Sequence, residues 1–272
     1  MGTSLFGELP NGSGASFGLT GIIVAMIGAP FVIWRTLVAQ KQAEVAEHGM
    51  ITERIMNAVE GLGYEKTIKD KLGERTVPNL EVRIGAIYSL ERIAQDSIRD
   101  HVRIMEILCV YIRENAPASL SEKCPEKPYA RQIIGETPVR KWAQELKKPR
   151  VDVQVALDII GRRTDQQISQ ERDVRTKTNT IGYRLDIRRT CLQACDLSGG
   201  NFDNALFTES HLDGALLKNT GLNKTDFYRA KLRGVTAVDV AMQSSQFMQA
   251  GFGAAYLRNV NFQNAELYLT EF

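Results

Sequence analysis

The chain has 272 residues, enough for two small domains, and its 34 basic side chains nearly cancel its 32 acidic ones, leaving a formal charge of +2. So even a balance argues against a bulk nucleic-acid binder. Four cysteines, Cys109, Cys124, Cys191 and Cys195, are too sparse for a secreted disulfide scaffold and suit a reducing compartment.

Residues 1–16 hold Pro10, Gly12, Ser13, Gly14 and Ser16 with one acid, Glu8, and read as a flexible polar tail. Residues 17–38 read as a single N-terminal transmembrane helix. No charge lies between Phe17 and Trp34, and about twenty residues rising 1.5 Å each span the roughly 30 Å hydrocarbon layer. Trp34 and Arg35 are expected at the membrane interface, with Pro30 kinking the span. A signal peptide would show a basic start and a cleavage site, and a buried core helix would be shorter. Arg35 and Lys41 flank the C-terminal end of the span and no base precedes it, so the positive-inside rule puts the N-terminus outside and residues 36–272 in the cytoplasm.

Residues 39–163 form a helical stalk and a small α-helical domain. Val38, Val45, Thr52 and Val59 recur at intervals of seven from Thr36 to Gly61 and point to one apolar stripe packed on its own domain. Residues 63–77 are polar and read as loop. From Pro78 to Ser97 an amphipathic helix presents Val82, Ala86, Leu90, Ile93 and Ala94, and Ser97 with Asp100 reads as a capping box opening a second helix through Ile112. Pro117, Pro125, Pro128 and Pro138 mark a long loop, broken by a short helix at 131–135. Helices at 139–146 and 151–163 follow. The runs Pro78–Gly85 and Pro149–Ala156 share a pattern of Pro, apolar and acidic positions, which suggests two HEAT-like hairpins. Residues 164–181 are almost wholly polar and read as an interdomain linker. Residues 182–272 form the second domain, opened by Tyr183, Leu185 and Ile187 alternating with Arg184, Asp186 and Arg188.

In that domain a period of five runs without a slip. The positions are Leu192, Leu197, Phe202, Phe207, Leu212, Leu217, Leu222, Phe227, Leu232, Ala237, Met242, Phe247, Phe252, Leu257, Phe262, Leu267 and Phe272, fifteen of seventeen being Leu or Phe. Two residues before each stands a small or β-branched residue, such as Cys195, Ala205, Thr225 or Val260. Five matches neither the helical period of 3.6 nor the strand period of 2, so the chain must turn a corner once per repeat to keep both columns inward. That is a solenoid. The stretch resembles the pentapeptide-repeat family, whose motif A-(D/N)-L-x-x is outlined by Ala194-Cys195-Asp196-Leu197 and Val260-Asn261-Phe262. The resemblance implies a right-handed quadrilateral β-helix of about four coils, an α + β chain overall. The run Arg83–Ala94 looks like a helical module found upstream of such repeats in bacterial membrane-anchored proteins. With four repeats per coil, residues twenty apart should stack at about 4.8 Å, placing Phe207, Phe227 and Phe247 in one ladder, Glu209 beside Arg229 and Asp213 beside Arg233.

The residues advertise no chemistry. His48, His101 and His211 are far apart, and Cys195 belongs to the inward column, so neither a metal nor a cofactor is expected. No nucleophile, phosphate-loop or paired-carboxylate motif stands out, and an enzyme is not expected. Some pentapeptide-repeat proteins imitate DNA and bind topoisomerases, which needs a strongly acidic exterior. Residues 190–272 hold eight acids and six bases, a net of about minus two, too little for that. The expected function is a non-enzymatic interaction scaffold, an accessory subunit of a bacterial inner-membrane assembly. The rival is a membrane-bound signalling or phage-defence effector whose helical domain senses a ligand. Phe272 falls at an inward position, so the last coil is expected either to dock on another membrane-complex protein or a second copy, or to continue in a longer chain.

Overall fold

The computed structural model describes residues 14–70, 73–125, 138–173 and 182–272, with side chains from Pro30 onward apart from residue 70. The tail expected over residues 1–16 lies almost wholly outside the described residues, as does the short helix at 131–135. Two compact units are present, Met1–Glu53 and Arg54–Phe272.

The first unit contains most of α1, a helix over Gly14–Leu62. The transmembrane expectation is corrected here: among the described residues no helix is long and apolar enough to cross a membrane. The described side chains of α1 begin at Pro30, and charge returns at Arg35, Lys41, Glu44 and Glu47, so the apolar run among them is too short. The side chains of residues 17–29, the rest of the expected span, lie outside the described residues. The inner-membrane location, the outward N-terminus and the interface role of Trp34 and Arg35 lose their basis with the span. Trp34 is an exposed residue on α1, its ring 6.2 Å from that of Phe31.

In the second unit, the stretch read as loop at 63–77 is an antiparallel hairpin, β1 (Glu65–Asp70) with β2 (Gly73–Pro78). Its strands are largely solvated on both faces, which removes the apolar alternation that would mark them in sequence. Helices α2 (Leu80–Asp96) and α3 (His101–Asn115) pack as a hairpin through Ile87, Leu90, Ile104, Met105, Leu108 and Ile112, all essentially buried. The Ser97 hydroxyl donates to the Asp100 carboxylate at 2.7 Å, so this pair closes the turn instead of capping α3. Then come α4 (Pro138–Glu145) and α5 (Val151–Gly161). Much of the polar stretch read as linker is helical, α6 (Asp165–Asp173), because Gln167, Ile168 and Glu171 are buried against the hairpin; residues 174–181 are outside the described set.

From 182 the chain winds as a rod. Bridges join residues twenty apart, such as Leu206 with Asp226 and Asp226 with Gln246, and β3 (Leu216–Lys218), β4 (Thr236–Ala241) and β5 (Tyr256–Asn261) stack in parallel in the same register. Seventeen consecutive corners, every fifth residue from Arg189 to Leu269, have φ between 53° and 72°. This left-handed turn bends the chain once per repeat. Phe227 lies between Phe207 and Phe247 with centroids 5.3 and 4.9 Å away and rings within 6° of parallel. Leu192, Leu197, Phe202, Leu212, Leu217, Leu222, Leu232 and Phe252 are also buried, Leu257 and Phe262 are half-buried, and Leu267 and Phe272 are exposed on the last coil.

Hydroxyls in the small inward column reach the coil below. Ser210 donates to the Ile187 carbonyl, Thr225 to Phe202, Ser245 to Leu222 and Thr270 to Phe247, always twenty-three residues back. Each buried hydroxyl is thereby satisfied, which is why Ser and Thr are tolerated inside.

Candidate interaction surface

The first coil is not bare. Asn201 N–H donates to the Gly161 carbonyl at 2.7 Å and Cys191 N–H to Ala116, while Arg163 donates to the Asn201 carbonyl. The Gln154 side chain pairs with both backbone groups of Asp196. The helices thus satisfy the edge groups that a solenoid leaves open, and Arg113 ties in Asp186 through its carbonyl and carboxylate.

One lateral face is covered as well. A Cβ at Gly214 would come within 2.5 Å of the Ala143 carbonyl oxygen, and one at Gly234 would collide with the Ala143 side chain. The two glycines, stacked one coil apart, form the notch that seats α4. Beside it Arg233 makes a bidentate pair with buried Asp213 at 2.8 Å and lies 5.3 Å from the Trp142 ring. The expected neighbours Glu209 and Arg229 are 3.8 Å apart.

A second face is an amide ladder that pairs with itself: the Asp203 carboxylate accepts from Asn223, whose carbonyl oxygen accepts from the Gln243 N–H. A third carries β3, β4 and β5, with Tyr256 under Arg140. The fourth presents Tyr228, Met248 and Tyr268 at intervals of twenty, and Arg229 lies 4.9 Å from the Tyr228 ring. Toward the last coil this stripe opens out: Tyr268 and Phe272 are each 67% exposed and Leu269 58%. The sequence reading missed these residues because they sit in the variable positions of the repeat. Reading those positions in steps of twenty would have found the column.

Among the described residues the titratable groups are scattered or paired with one another. His48 faces Glu44 on α1. His101 is fully buried, its Nε2 2.8 Å from Glu171, which also takes Arg163. His211 is half-buried, and burial with Lys231 nearby lowers its pKa. Tyr111, Arg150 and Val153 N–H all bond to Asp152, which is wholly buried. Burial pushes the Asp152 carboxyl up, but the Arg150 and Tyr111 hydrogen bonds outweigh it and the pKa is lowered. This network clamps α3 to α5. Burial raises the Cys109 thiol to about 12 and lifts that of Cys195 as well. Among the described residues no three His, Cys, Asp or Glu side chains gather where a metal could sit.

The family model for pentapeptide repeats matches residues 200–236, in eight copies. The rod is built of pentapeptide repeats. Similar solved structures include HetL, a pentapeptide repeat protein involved in heterocyst differentiation regulation from the cyanobacterium Nostoc sp. strain PCC 7120. It is 24% identical, with 30% of this chain and 38% of HetL covered and a TM-score of 0.30. Rfr23 from the cyanobacterium Cyanothece 51142 is 18% identical, covering 33% of this chain and 66% of Rfr23, with a TM-score of 0.22. QnrB1, a plasmid-mediated fluoroquinolone resistance protein, is 22% identical, covering 29% and 44%, with a TM-score of 0.25. This chain spans less than two thirds of each of them, and similarity at this level concerns the repeats alone. No curated protein matches the chain.

Proposed function

We propose that this chain is a non-enzymatic interaction scaffold, an accessory subunit that offers a rigid pentapeptide-repeat rod to a protein partner. The observation that carries this reading is the stripe Tyr228, Met248 and Tyr268, half-buried at Tyr228 and exposed from Met248 onward, continuous with Leu269 and Phe272 on the last coil. Aromatic and Met side chains are enriched at protein interfaces, and a fixed backbone loses little entropy when it binds. Eight acids against six bases over residues 190–272 weigh against DNA mimicry as the mode of action.

The test is the composition of the native complex with Tyr268→Asp and Phe272→Asp together. Partner subunits that co-purify with the unaltered chain should be lost at an unchanged melting temperature, and light scattering shows whether the lost subunit was a second copy. Identical subunit composition in the variant would refute the assignment.

A further inference from the structure

A cleft of about 540 Å³ lies between the last turns of α1 and the outer face of α2, a size that suits a small ligand. The two helices touch where a Cβ on Gly61 would stand 2.9 Å from the Ala86 Cβ. Ala58, Ala86 and Ile93, all buried, provide an apolar floor. Arg54 and Asn57 enter from α1, and neither side chain has a hydrogen-bond or ion-pair partner among the described residues. Arg92 enters from α2 and, among the described residues, meets only Asp96, at 3.9 Å. The Ser89 hydroxyl already donates to the Gly85 carbonyl.

Donors therefore outnumber acceptors, with two guanidiniums and an amide set against one loosely held carboxylate. The apolar groove on the other side of α1, against α3, lacks this excess, since Arg103 stands there with Glu106 and Glu114. We propose that the α1–α2 cleft binds an anion carried on a short apolar stem, an alkyl phosphate or carboxylate, with Arg54 and Arg92 holding the head and Ala58, Ala86 and Ile93 receiving the stem. Each half of the ligand has a matching half of the site: a forked cation recognises the oxyanion, and apolar burial adds affinity in proportion to area. The assignment is independent of the rod's partner. A free metabolite and a lipid headgroup share this chemistry.

Titration of the full chain with monomeric octyl phosphate, inorganic phosphate and octanol, followed by amide NMR, tests it. Octyl phosphate should shift amides over 54–61 and 82–96 and bind more tightly than either half alone. The double variant Arg54→Gln, Arg92→Gln should weaken binding by about tenfold or more at an unchanged melting temperature. Exposed Ser89→Trp, which fills the cleft without removing charge, should abolish it. Vesicles with and without phosphatidic acid separate the sources: monomer binding alone indicates a soluble ligand, and additional charge-dependent vesicle binding indicates a headgroup. Equal affinity for octanol, wild-type affinity in the double variant, shifts confined to other segments, or no binding in any arm would overturn the proposal.

Discussion

At the scale of single residues, two opposed demands meet in each repeat. The inward Leu or Phe gains burial, worth about 1.5–3 kcal/mol each, while the corner residue two positions on is held in the left-handed region, which costs most residues about 1–2 kcal/mol. The corners that tolerate this region best are Gly199, Gly214, Gly234, Asn204, Asn219, Asn259, Asn264 and Asp239. Ala254, at φ 60°, has no such excuse. Ala254→Gly is expected to raise stability by up to about 1 kcal/mol, read as a shift of the urea midpoint. Phe227→Ala, which empties the middle of a three-ring stack, should cost about 3–5 kcal/mol in the same experiment. A loss under about 1 kcal/mol would mean that the ladder is not packed as described.

At the scale of elements, the decisive contact is a helix in a glycine notch. Helix α4 has eight residues, too short to be stable alone in water. It is held because Gly214 and Gly234 let Ala143 approach the rod and because Arg233 lies between Asp213 and Trp142. Gly234→Val would place a β-branched side chain at φ 62° and in contact with Ala143, so a loss of about 2 kcal/mol or more is expected. Limited proteolysis should then cut near α4 while the rod stays intact. Equal protection of variant and parent would show that the notch does not hold the helix.

At the scale of the whole second unit, helices and rod are joined by charge as well as by packing. Burial raises the Asp186 carboxyl, yet the Arg188 hydrogen bonds and the nearby Arg113 outweigh it and leave the pKa lowered. A carboxylate whose pKa is lower folded than unfolded adds stability in full above its unfolded value, near 4, and loses it as pH falls through the folded value. The melting-temperature gap between the parent and Asp186→Asn should therefore be widest near neutrality and shrink as pH falls below the unfolded value near 4. A gap that grew on acidification would contradict the ion pair. Thiol chemistry gives a second check: Cys109 and Cys195, buried with raised pKa values, should resist a thiol reagent at pH 8 until the chain unfolds.

The rod was legible in sequence because its periodicity is local: every fifth side chain must turn inward, so Phe207, Phe227 and Phe247 declare their stacking without a long-range partner. The pairing of Asp213 with Arg233 follows from the same count. Tertiary structure alone decided the remainder. Helix α6 is polar along most of its length and holds its fold through Gln167, Ile168 and Glu171 against residues some seventy positions earlier, such as Ala94 and His101. The hairpin β1–β2 is solvated and so lacks the apolar alternation that marks a strand, and among the described residues no helix is apolar over enough length for the expected span. The column Tyr228, Met248 and Tyr268 could be counted out in steps of twenty, but its exposure, like the α1–α2 cleft, needed coordinates, since burial and unpaired donors depend on neighbours that no single stretch of chain encodes.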